Sequence, residues 1–314
     1  MTQNTFSLKS MGNNVSFEEA IALFLKSLDI RDSSKSTYKR QLKEFFVWCN
    51  KRSISAPERD DILAYRHFLK EEQMLASLTV GGYLTAVRRF FDFLEAIKMY
   101  PNVAKGIKGP TRKRGFRKDA LTIAQAKKLL KSIDRSSLAG KRDFALLNLM
   151  IRTGLRTIEI IRSNREDIST QTGQAVLFIQ GKGRDGKDEL VVLTQHTLEP
   201  IYEYLQERGK LRDEDPVFAS HSTKNFGRRL TTRSISRIVK DRLRAMGIDD
   251  KRLTAHSLRH TAITFSLLGG ATPQEARALA RHADINTTLV YAHNINRIAQ
   301  APEHKIDSFL DDSE

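Results

Sequence analysis

Residues 104–118, AKGIKGPTRKRGFRK, divide the chain. Three glycines, one proline and a dense run of Lys and Arg leave almost nothing there for a core to cover, so the stretch reads as a linker. The residues on either side must therefore bury their apolar surface separately. At 314 residues the chain has length for about two domains, each able to rest on an ordinary hydrophobic core. The expected organisation is a short flexible tail over 1–14, one domain over 15–103, the basic linker at 104–118, and a second domain over 119–314 whose own tail begins at about 294.

The first domain reads as all-helical. Ser16 with Glu19 has the spacing of a capping box, and Ile21, Phe24, Leu25 and Leu28 follow at helical period. A second helix carries Tyr38, Leu42, Phe45, Phe46 and Cys49 on one stripe, with Lys35, Lys39, Arg40 and Lys43 over the remainder. A third is expected over 58–70. The fourth, over 78–97, has Val80, Leu84, Val87, Phe90, Phe91 and Leu94 for its core face and Arg88 and Arg89 beside it. The basic positions are either a solvated face or contacts to a polyanion. The same choice applies to Arg112, Lys113, Arg114, Arg117 and Lys118 in the linker. An extended cationic segment can track a phosphate backbone and lay two domains on opposite faces of a duplex, and its plain alternative is a solvated hinge.

Charge narrows the partner. With 53 Lys and Arg against 37 Asp and Glu the formal net charge is +16, and the natural counterpart of such an excess is a polyanion. A membrane surface would attract the same charge, but the chain has no run of roughly 18 apolar residues and no separate basic amphipathic stretch. The opening MTQNTFSLKS lacks the apolar core of a signal peptide, so a cytoplasmic protein is expected. Cys49 stands alone. It has no partner for an internal disulfide or a thiolate metal site, and packing is its expected role.

Beyond the linker the pattern becomes mixed. Helices are expected over 122–132, from a Thr122 cap, and over 140–152, and TGLRTIEI opens another. AVLFIQ and ELVVLT flank the glycine-rich GKGRDGK and read as an antiparallel hairpin with a flexible tip. The fold class is mainly α with a small antiparallel sheet.

Chemistry concentrates in this second domain: Arg156 and Glu159 in TGLRTIE, Lys182 in GKGRDGK, His256 and Arg259 in HSLRH, and His282 and Tyr291 in ARHADINTTLVYAH. Attack on a phosphodiester gathers negative charge on the nonbridging oxygens, and forked guanidinium groups grip two oxygens at once, a role that fits Arg156 and Arg259. A tyrosine with a pKa near 10 must shed its proton as it attacks, and His256 is the candidate base. Glu159, one turn after Arg156, is placed to hold that arginine or His256, or to make an ordinary intrahelical pair with Arg156 or Arg162. His282 suits a hydrogen bond to the same phosphate.

Taken together, in this order and with the tyrosine nine residues after His282, these motifs resemble the signature of the tyrosine recombinase, or phage integrase, family. The preceding helical unit resembles that family's core-binding domain, and the short N-terminal tail fits its simpler, Xer-like or Cre-like, two-domain members. The resemblance implies a site-specific DNA recombinase. Tyr291 would join a DNA 3′ phosphate and leave a free 5′ hydroxyl, and Lys182 would protonate the leaving oxygen from a mobile loop. With Arg184 and Lys187 beside it, the plainer alternative is a basic hairpin tip that only touches phosphates. It implies neither metal, ATP nor other cofactor, because two arginines neutralise the phosphate. It also implies a homo-tetramer on two duplexes, with the tail carrying Ile306, Phe309 and Leu310 docked into a neighbouring protomer; folding back onto its own domain is the competing possibility. The family most often writes Leu-Gly-His where this chain has Ala280, Arg281 and His282, which leaves local packing there open. A zinc site built on His256, His260, His282 and His293 is the rival reading of the same region. Ser257 stands where an HExxH site needs its glutamate, so His260 and His293 are expected to pack or hydrogen-bond instead.

Overall fold

A computed structural model of the chain describes residues 7–9, 14–110, 120–181 and 184–299 and the single positions 306 and 310. The basic linker positions from Arg112 to Lys118, together with Lys182, lie outside the described residues. Two compact units divide between Gly115 and Phe116.

The first unit opens on a strand pair, β1 (Ser7–Lys9) with β2 (Asn14–Ser16), antiparallel in the register Leu8 opposite Val15. These positions belong to the flexible tail expected over 1–14, a stretch that is polar and has no period-two apolar signal to announce a pairing; of that tail, residues 7–9 and 14 are described. Four helices follow: α1 (Phe17–Ser27), α2 (Asp32–Lys51), α3 (Arg59–His67) and α4 (Ser77–Ala96). The capping box at the start of α1 is present, with Ser16 Oγ accepting from Glu19 N–H and the Glu19 carboxylate accepting from Ser16 N–H. The third helix is shorter than its apolar spacing suggests. It ends at His67 and continues as one wider π-turn over Phe68–Glu72, which keeps Leu69 in the core. Aromatic rings fill that core, Phe45 meeting Tyr65 edge-on at 4.9 Å and Phe24 meeting Phe90 at 5.7 Å. Cys49 is buried among them, and burial pushes its thiol up to about 12, so it packs as an inert apolar group. The core also reaches past residue 103. Ala104 and Ile107, assigned to the linker by their Gly, Pro and Lys neighbours, are buried, and Arg59 and Arg66 hold this segment through the Lys105 and Lys108 carbonyls.

The second unit is built around α6 (Leu138–Thr153), whose every turn buries apolar residues. Before it stands α5 (Ile123–Lys131), capped by Thr122 as its sequence indicates, and after it the short α7 (Thr157–Arg162). The sheet has three antiparallel strands rather than the expected two: β3 (Ile168–Gln171), β4 (Gln174–Ile179) and β5 (Glu189–Val192). The extra strand, Ile-Ser-Thr-Gln, is polar in three of its four residues, and only its turn betrays it. Thr172 and Gly173 both have positive φ (47° and 79°), the backbone of a two-residue hairpin. Helices α8 (Gln195–Glu207), α9 (Thr232–Ala245), α10 (Ala255–Leu268), α11 (Pro273–Ala280) and α12 (Asn286–Ala299) complete the unit, α8 and α10 both packing on α6. Buried Asp143 ties α6 to α9, accepting from Arg142 Nη2 at 2.6 Å and Arg242 Nη2 at 2.5 Å. No described helix is long and apolar enough to cross a membrane.

One glycine in α6 gives a test of this packing. An Ala for Gly exchange inside a helix ordinarily stabilises by about 0.5–1 kcal/mol. At Gly140 the added Cβ would lie 1.8 Å from the Asp134 carbonyl oxygen, so the sign should reverse. We expect Gly140→Ala to lower the melting temperature, read by circular dichroism, and a rise would contradict the close approach.

Candidate active site

The second unit's site is assembled where three chain segments meet. The first is the end of α6. Gly154 closes that helix in the left-handed conformation (φ 63°, ψ 23°), which turns the chain and presents its carbonyl. That carbonyl accepts Arg259 Nη1 at 2.6 Å. A Cβ on Gly154 would sit 3.4 Å from Ala262 Cβ and 3.9 Å from Arg259 Cγ, so glycine also permits α10 to approach.

Arg156 follows as the cap residue of α7. Its backbone N–H donates to Glu159 Oε2 and its Nη1 to Glu159 Oε1, both at 2.7 Å, while Glu159 is wholly buried. The Glu159 carboxylate therefore fixes the arginine by backbone and side chain together. Glu159 has a second cation as well: Arg281 Nη2 donates to Oε2 at 3.0 Å.

Helix α10 supplies the second segment. Arg259 is almost fully buried, its Nη2 donating to the Ala280 carbonyl as its Nη1 does to Gly154. Burial, with Arg156 and Arg281 close by, brings its guanidinium down to about 10, still cationic at neutral pH; the same balance includes Glu159 and Tyr291, which places all five groups in one electrostatic neighbourhood. One residue later on α10, His260 Nδ1 shares a hydrogen bond with the Tyr291 hydroxyl, the two rings 5.4 Å apart. His256, one turn earlier, sets its ring edge-on to His260 at 4.5 Å.

The third segment is the turn between α11 and α12. His282 Nδ1 shares a hydrogen bond with Thr288 Oγ1 at 2.9 Å, and Tyr291 lies half-buried on α12. Burial first, then Arg259 and Arg156, pushes the His282 imidazole down to about 4, so it is neutral at pH 7.

Arg156, Glu159, Arg259, His256, His282 and Tyr291 thus gather from distant stretches of sequence, whereas Lys182 falls outside the described residues. Its hairpin is described up to Gly181 and from Arg184, whose guanidinium pairs with Asp188 at 2.5 Å and Glu189 at 3.0 Å. Two residues of the cluster were not singled out by sequence. His260, expected to pack or hydrogen-bond, meets the phenol; the available signal was its place one turn after His256. Arg281 enters from the position where the family pattern has glycine, and that departure was its only mark. Among the described residues no group of three or more His, Cys, Asp and Glu is arranged to hold a metal ion. In the first unit Lys35 is partly and Lys39, Arg40 and Lys43 are well exposed on α2. On α4, Arg88 donates to the Ile107 carbonyl and Thr85, and Arg89 to Tyr38 Oη at 3.3 Å.

Comparison with known proteins gives the family of the chain. Residues 119–297 match the phage integrase family, and residues 21–98 match the N-terminal SAM-like domain of phage integrases. The tyrosine recombinase XerD of Listeria innocua is 32% identical over 266 residues, covering 82% of this chain and 86% of that protein. The tyrosine recombinase XerC of Thermodesulfovibrio yellowstonii is 29% identical over 307 residues, 93% of each chain. In fold, the chain is similar to the XerH site-specific recombinase in a post-cleavage complex with its palindromic difH substrate, with a TM-score of 0.69 over 91% of this chain and 84% of that one at 21% identity. The chain belongs to the phage integrase family of tyrosine recombinases.

The low His282 value carries a stability consequence. The ordinary imidazole value is 6.5, so as pH falls below it the unfolded chain takes up the proton first, and stability declines until about pH 4, where the folded protein also binds it. His221, pushed down to about 4 by burial with Arg142 and Arg208 nearby, adds to the same loss. Melting temperatures at pH 7.5 and 5 should fall less for His282→Gln than for the native chain; equal falls would remove His282 from the balance.

Proposed function

We propose that Tyr291 is the nucleophile of a site-specific DNA recombinase and that Arg156 and Arg259 clamp the scissile phosphate. The observation that carries this reading is the phenol held by His260 Nδ1 beside two arginines that are themselves fixed by Glu159, Gly154 and Ala280. The tyrosine oxygen bonds to phosphorus as the bond to the 5′ oxygen breaks, giving a 3′-phosphotyrosine and a free 5′ hydroxyl. The phenolic proton passes to His260, with His256 edge-on as the second member of the base pair, and Lys182 protonates the departing oxygen. Neutral His282, its Nδ1 engaged by Thr288, offers Nε2 to a nonbridging oxygen. The reverse reaction on another strand restores the phosphodiester without external energy, because the ester bond is conserved in the enzyme link. The guanidinium pair supplies the charge neutralisation that a metal would otherwise supply.

Duplex DNA is the partner, met in the cytoplasm. The first unit offers its basic α2 and a polar groove of about 560 Å³ between α2 and α4, lined by Thr37, Tyr38, Thr85 and Arg88, to phosphates and groove edges. The linker arginines and lysines, with Arg184, add salt-sensitive affinity.

The enzyme works as a tetramer on two duplexes. Ile306 and Leu310, one helical turn apart and both exposed, are the apolar face of the tail. An apolar cavity of about 570 Å³ at the edge of the second unit, lined by Ile123, Leu130, Val192, Phe265 and Leu268, is the surface that receives this face from a neighbouring copy. Exposure of Ile123, Val192 and Leu268 there supports an external occupant.

Two outcomes check the scheme. Native protein should form a covalent adduct on a nicked duplex that traps the cleaved strand, and Tyr291→Phe should form none while binding the same DNA; an adduct with the phenol gone would sink the nucleophile. Removal of residues 302–314 should spare single-site binding but cut recombination by more than tenfold, measured as hybrid duplexes formed, whereas an undiminished yield would argue that the tail serves its own domain.

A further inference from the structure

Arg281 occupies a position built for glycine. It caps α11 in the left-handed region, φ 51° and ψ 47°, which a residue with a Cβ enters only at a cost. Its side chain is nevertheless only 8% exposed and reaches inward, Nη1 donating to the Leu279 carbonyl at 2.7 Å and Nη2 to Glu159 Oε2 at 3.0 Å. Its Nε lies 4.0 Å from Glu189 Oε2 at the foot of the lysine hairpin, and Glu189 Oε1 in turn takes Arg184 at 3.0 Å. Arg156 Nη2 returns a bond to the Arg281 carbonyl at 3.4 Å.

The charge balance explains what such a residue accomplishes. Alone with Glu159, Arg156 is half of a neutral pair, and a neutral pair attracts a phosphate weakly. With Arg281 also on the Glu159 carboxylate and Arg259 close by, these three guanidiniums and one buried anion leave a surplus of two positive charges; a neutral residue at 281 would leave one. Burial pushes the Arg281 guanidinium below its usual range while Glu159 opposes that, consistent with a cation kept in a dry setting for its charge.

We propose that Arg281 is a positioning residue of the cleavage site, which by sharing buried Glu159 with Arg156 leaves the clamp with net positive charge for the scissile phosphate. This rests on the assignment of Arg156 and Arg259 as the clamp.

The test compares Arg281→Gly, Arg281→Asn and Arg281→Lys with native protein on nicked duplexes whose scissile phosphate is either an ordinary diester or a neutral methylphosphonate. Glycine and asparagine both accept the left-handed backbone, but each takes one cation from buried Glu159, so both variants should melt below the native temperature, and rates are compared where circular dichroism shows each variant fully folded. At saturating DNA their trapping rate on the diester should fall roughly tenfold to hundredfold, the range for losing a residue that orients a catalytic group. DNA affinity should stay within about twofold, because the loss concerns the reacting charge. Lysine should restore part of the rate. On the methylphosphonate, which carries no charge to neutralise, the deficit should shrink to under about threefold. Diester rates equal to native, or an equal deficit on both substrates, would overturn the role of Arg281. Adduct formation by Tyr291→Phe, run alongside, would instead overturn the underlying nucleophile assignment, so the two failures are distinguishable.

Discussion

A carboxylate with no access to water organises the centre of this protein. Glu159 accepts from the backbone and side chain of Arg156 and from Arg281, and so takes hydrogen bonds from two separate segments that must come together for the anion to be buried at all. Leaving one partner of a buried ion pair unpaired typically costs about 3–5 kcal/mol. The arrangement is consequently closer to all-or-none than a surface salt bridge would be. Arg259 adds the same logic from α10: each of its two terminal nitrogens donates one N–H to a backbone carbonyl, of Gly154 and of Ala280, so its orientation is set by the backbone of the other two segments.

Preorganisation of this kind is what phosphoryl chemistry demands of a protein. The reaction needs little covalent help beyond the nucleophile, and most of the barrier is lowered by charges already aimed at the phosphate. The guanidiniums of Arg156 and Arg259, held by Glu159 and by backbone carbonyls, have the fixed geometry that such chemistry uses. The Tyr291 phenol is also held, since His260 engages its oxygen and His256 backs His260 on the same helical face. His282, neutral at pH 7, stands among the guanidiniums of Arg156, Arg259 and Arg281.

Much of this was legible before any coordinates. Helical stripes such as Val80, Leu84, Val87 and Phe91 pointed to a core face because apolar spacing is a local property, and Ser16–Glu19 and Thr122 marked helix starts for the same reason. What escaped was signalled weakly or non-locally. Strands β1, β2 and β3 are short and polar, so their pairing depends on partners rather than on pattern. Ala104 and Ile107 sit among glycines and lysines, and only the core that covers them distinguishes them from linker.

The sequence by itself determined a largely helical, strongly basic chain and the order in which Arg156, Arg259, its histidines and Tyr291 occur, because charge, period and motif order are carried along the chain. Only the tertiary structure decided which histidine meets the phenol and which arginines share a carboxylate. Motif order singled out His256 as the candidate base, yet it is His260, one turn later on α10, that meets the phenol, because of where α12 packs on α10. Arg281 likewise gains its meaning from a left-handed turn that aims it at a residue 122 positions away, a contact set by the packing of α7 against the end of α11 and invisible to any local rule.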